Sequence, residues 1–196
     1  MDHAFPSFEL EVRQRAGSVR SIAGRFAYGA TATIRDRGRV RKERIAPRAF
    51  SFSLDEGREV NLLRGHSFDE PLATTRNGSL RLRDTDEALS FEADLPPVAD
   101  RPSYMVDTLR MIEADLLPGL SPGFRIPPAS AVPDAEVFLP DPEAAGVQIR
   151  LIQAAVLFEL SIVTRPAYSD TEVDMRSLQS GGPPVVGRAR HRRVLF

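Results

Sequence analysis

The sequence predicts a mainly β domain of the α+β class, a partly closed barrel of short strands with about two flanking helices. Short segments such as residues 8–13 alternate apolar and polar side chains with the period of two that a half-buried strand requires. Glycine, proline and aspartate separate these segments at short intervals, as turns do. Only residues 102–116 have the longer spacing of apolar residues that is typical of a helix.

The first half of the chain is predicted to contain strands and one short helix. Phe8 to Arg13 alternates as a strand does, and Ala16-Gly17 can turn the chain into a second strand around Val19 to Tyr28. After a basic stretch, Pro47 is predicted to lie in the first turn of a helix, because the missing N–H costs nothing there. Val60 to Leu63 is an apolar strand that ends just before His66.

The second half is predicted to contain a hairpin, the long helix and further strands. Ser79 to Arg83 and Ala88 to Leu95 flank a turn rich in aspartate, which indicates a hairpin. The helix from Pro102 to Leu116 presents one apolar stripe and ends before Pro118-Gly119. The remaining predicted strands cover residues 120–126, 147–152 and 155–163.

We expect one domain over residues 1–176 and a disordered, arginine-rich tail over residues 177–196. A chain of 196 residues is long enough for one sizeable core and short for two. Residues 127–146 are acidic and rich in proline, which predicts a loop with a brief strand at Glu136 to Leu139. The arginines of the tail could contact nucleic acid or an acidic partner, although such a run is more often a solvated chain end.

Composition excludes several classes of function. The absence of cysteine excludes disulfides, thiolate metal sites and cysteine nucleophiles. A net charge of −1 gives no overall attraction to nucleic acid or to an anionic membrane, so neither is an expected partner. The longest apolar run, Ala154 to Phe158, is too short to span a bilayer, and the N-terminus lacks the apolar segment of a secretory signal. We expect an intracellular protein that needs no metal or other cofactor.

Three chemically reactive side chains stand at the edges of apolar stretches. They are His66, Ser121 and Glu159. A hydroxyl, an imidazole and a carboxylate are the nucleophile, the base and the orienting acid of a serine hydrolase. The order along the chain, His then Ser then Glu, differs from the Ser, acid, His order of the α/β-hydrolases.

Each of these residues also has an ordinary structural explanation. His66 could be a structural histidine at the end of a strand, and Ser121 could belong by chance to a Pro-Gly turn. The glycines on both sides of Ser121 would give its backbone conformational freedom. Glu159 could face solvent from an edge strand, because a period of two places it on one face with Leu157 and Ser161. A buried, unpaired carboxylate costs several kcal/mol, so Glu159 is the hardest of the three to explain as packing.

A larger pattern runs through four segments in a fixed order. They are Arg44 to Phe50, the strand 60–66 that ends at His66, Gly119-Leu120-Ser121-Pro122-Gly123-Phe124, and residues 157–167 around Glu159. In this order they resemble the motifs of the prohead (capsid maturation) proteases of HK97-type tailed phages, including Gly-Leu-Ser-x-Gly-Phe and Leu-x-Glu-Val-Ser-x-Val-Thr-x-Pro-Ala. The resemblance covers roughly residues 19–168. It departs from the family at Gly65 and Ser67, where asparagine and aspartate often flank the histidine.

The resemblance implies a fold like that of the herpesvirus assemblins and a serine endopeptidase activity. Its substrates would be the scaffold and major capsid proteins, cleaved inside the assembling procapsid in the bacterial cytoplasm, and it could cleave itself. His66, Ser121 and Glu159 would be the catalytic residues, and the chain could form a homo-oligomer. The main alternative is a non-enzymatic capsid-assembly or scaffolding factor that keeps the protease fold. A third is a small β-barrel binding module, in which the three residues lie apart.

Overall fold

The computed structural model describes residues 8–14, 20–36, 39–166, 168 and 173–174. These residues form thirteen strands and two α-helices, which confirms the predicted mainly β class. The strands are β1 (Phe8–Gln14), β2 (Arg20–Ala27), β3 (Thr31–Asp36), β4 (Arg39–Ile45), β5 (Asn61–Arg64), β6 (Ser67–Thr74), β7 (Leu80–Asp84), β8 (Ala88–Asp94), β9 (Gly119–Arg125), β10 (Glu136–Pro140), β11 (Gln148–Ile152), β12 (Val156–Val163) and β13 (Val173–Asp174). The helices are α1 (Ser51–Asp55) and α2 (Ser103–Glu113), with short 3-10 helices at Thr75–Asn77 and Val98–Asp100. The predicted tail, 177–196, lies outside the described residues, and the division into domain and tail stays a prediction.

The strands form three sheets. Sheet I has the order β1-β2-β8-β7, sheet II the order β10-β11-β4-β3-β13, and sheet III the order β6-β5-β12-β9. Within the described ranges none of the three closes on itself, so the predicted partly closed barrel is not confirmed. In sheet III the central pair, β5 and β12, is parallel, and the outer pairs are antiparallel.

The predicted loop at residues 127–146 contains a strand, as expected. β10 covers Glu136–Pro140 and pairs with β11 at the edge of sheet II. The basic stretch to which no element was assigned from the sequence is the β3–β4 hairpin. Its pattern is obscured because one of the buried positions on β4 is a carboxylate. Glu43 accepts hydrogen bonds from Arg150 Nη1 at 2.7 Å and from the Tyr168 hydroxyl.

Both helices differ from the prediction at one end. Pro47 lies in the turns that precede α1 and not in its first turn. The helix begins at Ser51, where Asp84 Oδ2 accepts hydrogen bonds from the Phe50 N–H (3.1 Å) and the Ser51 hydroxyl (3.0 Å). α2 ends at Glu113, earlier than expected. Asp115 adopts a left-handed conformation (φ 56°) and closes the helix, which leaves Leu116 58 % exposed instead of on the apolar stripe.

A chain of aromatic rings connects sheet I to sheet III through the core. Phe26 on β2 packs edge-on against Tyr168, with ring centroids 5.3 Å apart, and lies 6.0 Å from Tyr28. Tyr28 reaches Phe50 at 6.3 Å, and Phe50 packs against Phe124 of β9 at 5.8 Å. Three of these contacts are edge-to-face and the one between Tyr28 and Phe50 is tilted, and together they connect β9 to β2 through the core.

Two tyrosines, the partly buried Tyr28 and the buried Tyr168, give the fold a predictable response to alkaline pH. Burial, together with hydrogen bonding to Asp84 and to Glu43, raises the pKa of Tyr28 and of Tyr168 respectively. The folded protein therefore holds these protons more tightly than the unfolded chain. Their contribution to stability is complete below about pH 10, the value of an unfolded tyrosine, and is lost as the pH rises above it.

We expect phenolate absorbance to show that Tyr28 and Tyr168 ionise only when the protein unfolds. The double variant Tyr28→Phe, Tyr168→Phe should lose less unfolding free energy between about pH 9 and pH 11 than the wild type, because it carries no buried phenol. The chain has three tyrosines and no tryptophan, so the change in phenolate absorbance comes from three side chains without interference from indole absorbance. Reversible ionisation of all three tyrosines near pH 10 in the folded protein would contradict this prediction.

Candidate active site

Glu159 is a buried carboxylate on an inner strand. β12 lies between β5 and β9 in sheet III, and the residue is 4 % exposed. The explanation that Glu159 faces solvent from an edge strand is therefore wrong. Its burial has to be offset by partners within the protein.

A β-bulge at Phe158 determines which face of the sheet Glu159 occupies. Leu157 pairs with Phe124 and Glu159 pairs with Gly123, so Phe158 is an extra residue that has no partner in the ladder and is 38 % exposed. Paired residues share a face, so Leu157 lies on the opposite face from Glu159. The predicted placement of Leu157 beside Glu159 is wrong because a strict period of two ignores the extra residue.

His66 lies in the two-residue turn between β5 and β6. Gly65 and His66 have φ angles of 57° and 64°, the pair of positive values that defines a type I′ hairpin turn. The turn is attached to β12 by two backbone donors: Gly65 N–H bonds to Ile162 O at 3.0 Å, and His66 N–H bonds to Ser161 Oγ at 3.1 Å. The imidazole is 26 % exposed, so it reaches the protein surface.

The imidazole and the buried carboxylate are in direct contact. His66 Nδ1 lies 2.6 Å from Glu159 Oε1, and the Ser161 hydroxyl donates to Glu159 Oε2. An ionised carboxylate can only accept, so Nδ1 carries the proton in this contact. Nε2 is then the nitrogen of His66 that can accept a proton from another group.

Ser121 lies on the next strand, on the same face of sheet III. It pairs with Ser161 across the β9–β12 ladder and is 5 % exposed. Directly paired residues of antiparallel strands have their Cα atoms about 4.5–5.5 Å apart, and Glu159 is two residues before Ser161, so Ser121 and Glu159 are diagonal neighbours on one face of the sheet. Within the part of the chain that the structure describes, the Ser121 hydroxyl makes no hydrogen bond to His66.

Gly123 provides the space that the carboxylate occupies. A Cβ atom at this position would lie 2.5 Å from Glu159 Cγ and 2.6 Å from Cδ, and closer still to Oε1. Gly123 does not have a positive φ, so the conformational freedom expected from the sequence is not what the position requires. The available sequence signal was the spacing: Gly123 is two residues from Ser121, and therefore on its face of the strand.

Neither a metal-binding cluster nor a membrane-spanning helix is found among the described residues. No group of three or more His, Cys, Asp or Glu side chains there is arranged to hold a metal ion. None of the helices over the same ranges is long and apolar enough to cross a membrane.

A histidine–carboxylate pair and a serine on the neighbouring strand are the residue types found in the active site of a serine hydrolase, here in a mainly β fold. The family model described as caudovirus prohead serine protease matches residues 9–182. The chain therefore belongs to this family of phage capsid maturation serine peptidases, and the resemblance found in the sequence is confirmed. No curated protein and no solved structure matches the chain.

We predict that Gly123→Ala displaces the Glu159 carboxylate from His66. The added methyl group overlaps the side chain, so the unfolding free energy should fall by roughly 1–3 kcal/mol. Nitrogen NMR of histidine-labelled protein should show an altered Nδ1 signal for His66. This signal can be assigned because the chain contains only three histidines. Gly119→Ala on the same strand is the matched control, because its Cβ meets Pro166 instead. A His66 signal that responds equally to both substitutions would refute the prediction.

Proposed function

We propose that this protein is a serine endopeptidase in which Ser121 is the nucleophile, His66 the general base and Glu159 the acid that orients the base. Its substrates are the scaffold and major capsid proteins inside the assembling procapsid in the host cytoplasm, and it also cleaves itself. An assemblin-like arrangement of the strands belongs to the same proposal. The observation that carries it is the contact between His66 Nδ1 and the buried Glu159, on the face of sheet III that Ser121 shares.

The proposed mechanism begins with neutral His66. Nε2 takes the proton from the Ser121 hydroxyl while the serine oxygen attacks the carbonyl carbon of the scissile peptide bond. The imidazolium then gives this proton to the leaving amine, the C–N bond breaks, and an acyl-serine remains. Water, deprotonated by Nε2, then attacks the acyl carbon, the bond from this carbon to the Ser121 oxygen breaks, and Nε2 returns its proton to that oxygen as the acid product leaves. Glu159 stays ionised throughout, holds Nδ1 in place and stabilises the imidazolium.

A substrate-free chain need not show a hydrogen bond between Ser121 and His66. Such bonds are often long or poorly aligned before substrate binds, and they tighten in the complex. In contrast, an orienting acid must already hold the base, because a misplaced base loses much of its effect. The described residues fit this order: the His66–Glu159 contact is short, and among them the Ser121 hydroxyl, on the neighbouring strand, makes no hydrogen bond to His66.

We predict that Ser121→Ala abolishes processing and leaves the fold intact. The assay is co-expression with the scaffold and major capsid proteins of the same phage, followed by gel analysis and mass spectrometry of the cleaved products. Ser21→Ala is the matched control, because Ser21 is equally buried, in sheet I, and its hydroxyl has no hydrogen-bond partner among the described residues. It should process normally.

The same experiment distinguishes the proposal from its main alternative. Cleavage at the wild-type rate in Ser121→Ala would exclude Ser121 as the nucleophile. No cleavage by the wild type, together with normal capsid assembly that requires the chain, would favour the non-enzymatic assembly factor.

We predict that Glu159→Gln lowers kcat by roughly 10³- to 10⁴-fold, the loss that follows when the acid of a serine-protease triad becomes an amide. The amide is similar in size, so thermal unfolding should change little. Glu43→Gln is the control, because Glu43 is also a buried carboxylate but bonds Arg150 and Tyr168 in sheet II. It should reduce stability and leave kcat unchanged. If Glu159→Gln unfolds the protein, Glu159 is a structural residue.

A further inference from the structure

We propose that Ser161 is a positioning residue of this site, and that its single hydroxyl fixes both the backbone of His66 and the carboxylate of Glu159. The inference rests on the proposed function, since it concerns how the proposed base and acid are held. Ser161 is fully buried on β12, two residues beyond Glu159 and on the same face of sheet III.

The contacts form a closed circuit of three hydrogen bonds. His66 N–H donates to Ser161 Oγ at 3.1 Å, the Ser161 hydroxyl donates to Glu159 Oε2, and Glu159 Oε1 accepts from His66 Nδ1 at 2.6 Å. The circuit starts and ends on the same residue, so it fixes the imidazole relative to its own backbone. An imidazole held only at Nδ1 could still move together with the turn.

The turn needs this second attachment because its backbone conformation is unfavourable for histidine. A φ of 64° is in the left-handed region, which a residue with a Cβ rarely adopts. The neighbouring bond from Gly65 N–H to Ile162 O fixes the start of the turn, and the bond to Ser161 fixes the residue that carries the imidazole.

A serine is well suited to this position because a hydroxyl can accept and donate at the same time. It accepts from a backbone N–H and donates to a carboxylate that accepts only. Alanine offers neither bond. Removing the Ser161 hydroxyl leaves the His66 N–H without its acceptor. Glu159 then keeps only His66 as a hydrogen-bond partner among the described residues.

Ser53, in α1, provides a matched comparison because its hydroxyl also bonds to β12. It is also fully buried, and its hydroxyl accepts the Leu157 N–H at 3.0 Å and donates to Phe50 O at 3.2 Å. Ser53 therefore accepts one bond from β12 and donates one to the start of α1, so its hydroxyl makes the same number of bonds as that of Ser161. It contacts neither His66 nor Glu159, so it reports the cost of losing a buried serine without disturbing the site.

The test compares Ser161→Ala with Ser53→Ala in three measurements. We expect Ser161→Ala to lower kcat by roughly 10- to 100-fold, typical for a residue that orients a reacting group, with KM little changed. Hydrogen exchange of the His66 amide should accelerate, and the Nδ1 signal of His66 in histidine-labelled protein should shift. The substrate is a peptide that spans the junction cleaved by the wild type. Ser53→Ala should lower the thermal stability and leave all three measurements as in the wild type.

The outcomes separate this proposal from the function on which it rests. Unchanged kcat, His66 exchange and Nδ1 signal in a folded Ser161→Ala, with Ser121→Ala inactive, would overturn the role of Ser161 and retain the nucleophile. Equal effects of Ser161→Ala and Ser53→Ala on kcat would also overturn it, because the loss would then follow from stability alone. Normal cleavage by Ser121→Ala would overturn the proposed function itself.

Discussion

The burial of the Glu159 carboxylate is the constraint on which the arrangement of this site depends. A charge that is 4 % exposed is tolerated only with partners, and the chain supplies them from two elements. The β5–β6 turn provides His66, and β12 itself provides Ser161. A third element, β9, provides space by having Gly123 beneath the side chain. These requirements explain why the hairpin turn is attached to β12 and why β9 pairs in its observed register.

β12 contributes side chains both to the core and to the candidate site, and its bulge determines which residues lie on each face. Beyond Phe158, β12 presents Leu160 and Ile162 to the core and Glu159 and Ser161 to the site. Leu157 also joins the core, which an unbroken alternation would not allow. On the core side of the bulge, the Ser53 hydroxyl of α1 accepts the Leu157 N–H, which joins the helix to β12.

The sequence predicted the features that arise from local pattern and from residue type. The hairpin of β7 and β8, the strand before His66 and the buried carboxylate were all accessible, because alternation and the cost of an unpaired charge are local arguments. The β3–β4 hairpin was missed because Glu43 takes the place of an apolar core residue and its partner Arg150 is distant in the chain. The space over Gly123 and the face of Leu157 depend on strand register, which no single segment encodes.

The turn at His66 places the proposed reaction at a position where selection for stability and selection for function oppose each other. Glycine, and to a lesser degree asparagine, adopts a φ of 64° more readily than histidine, so either would relax the backbone there. A population of variants selected for thermal resistance alone would therefore tend to lose the imidazole. A histidine in such a turn lowers the stability of the hairpin that carries it, and in the proposed mechanism the work of its imidazole is what offsets that loss.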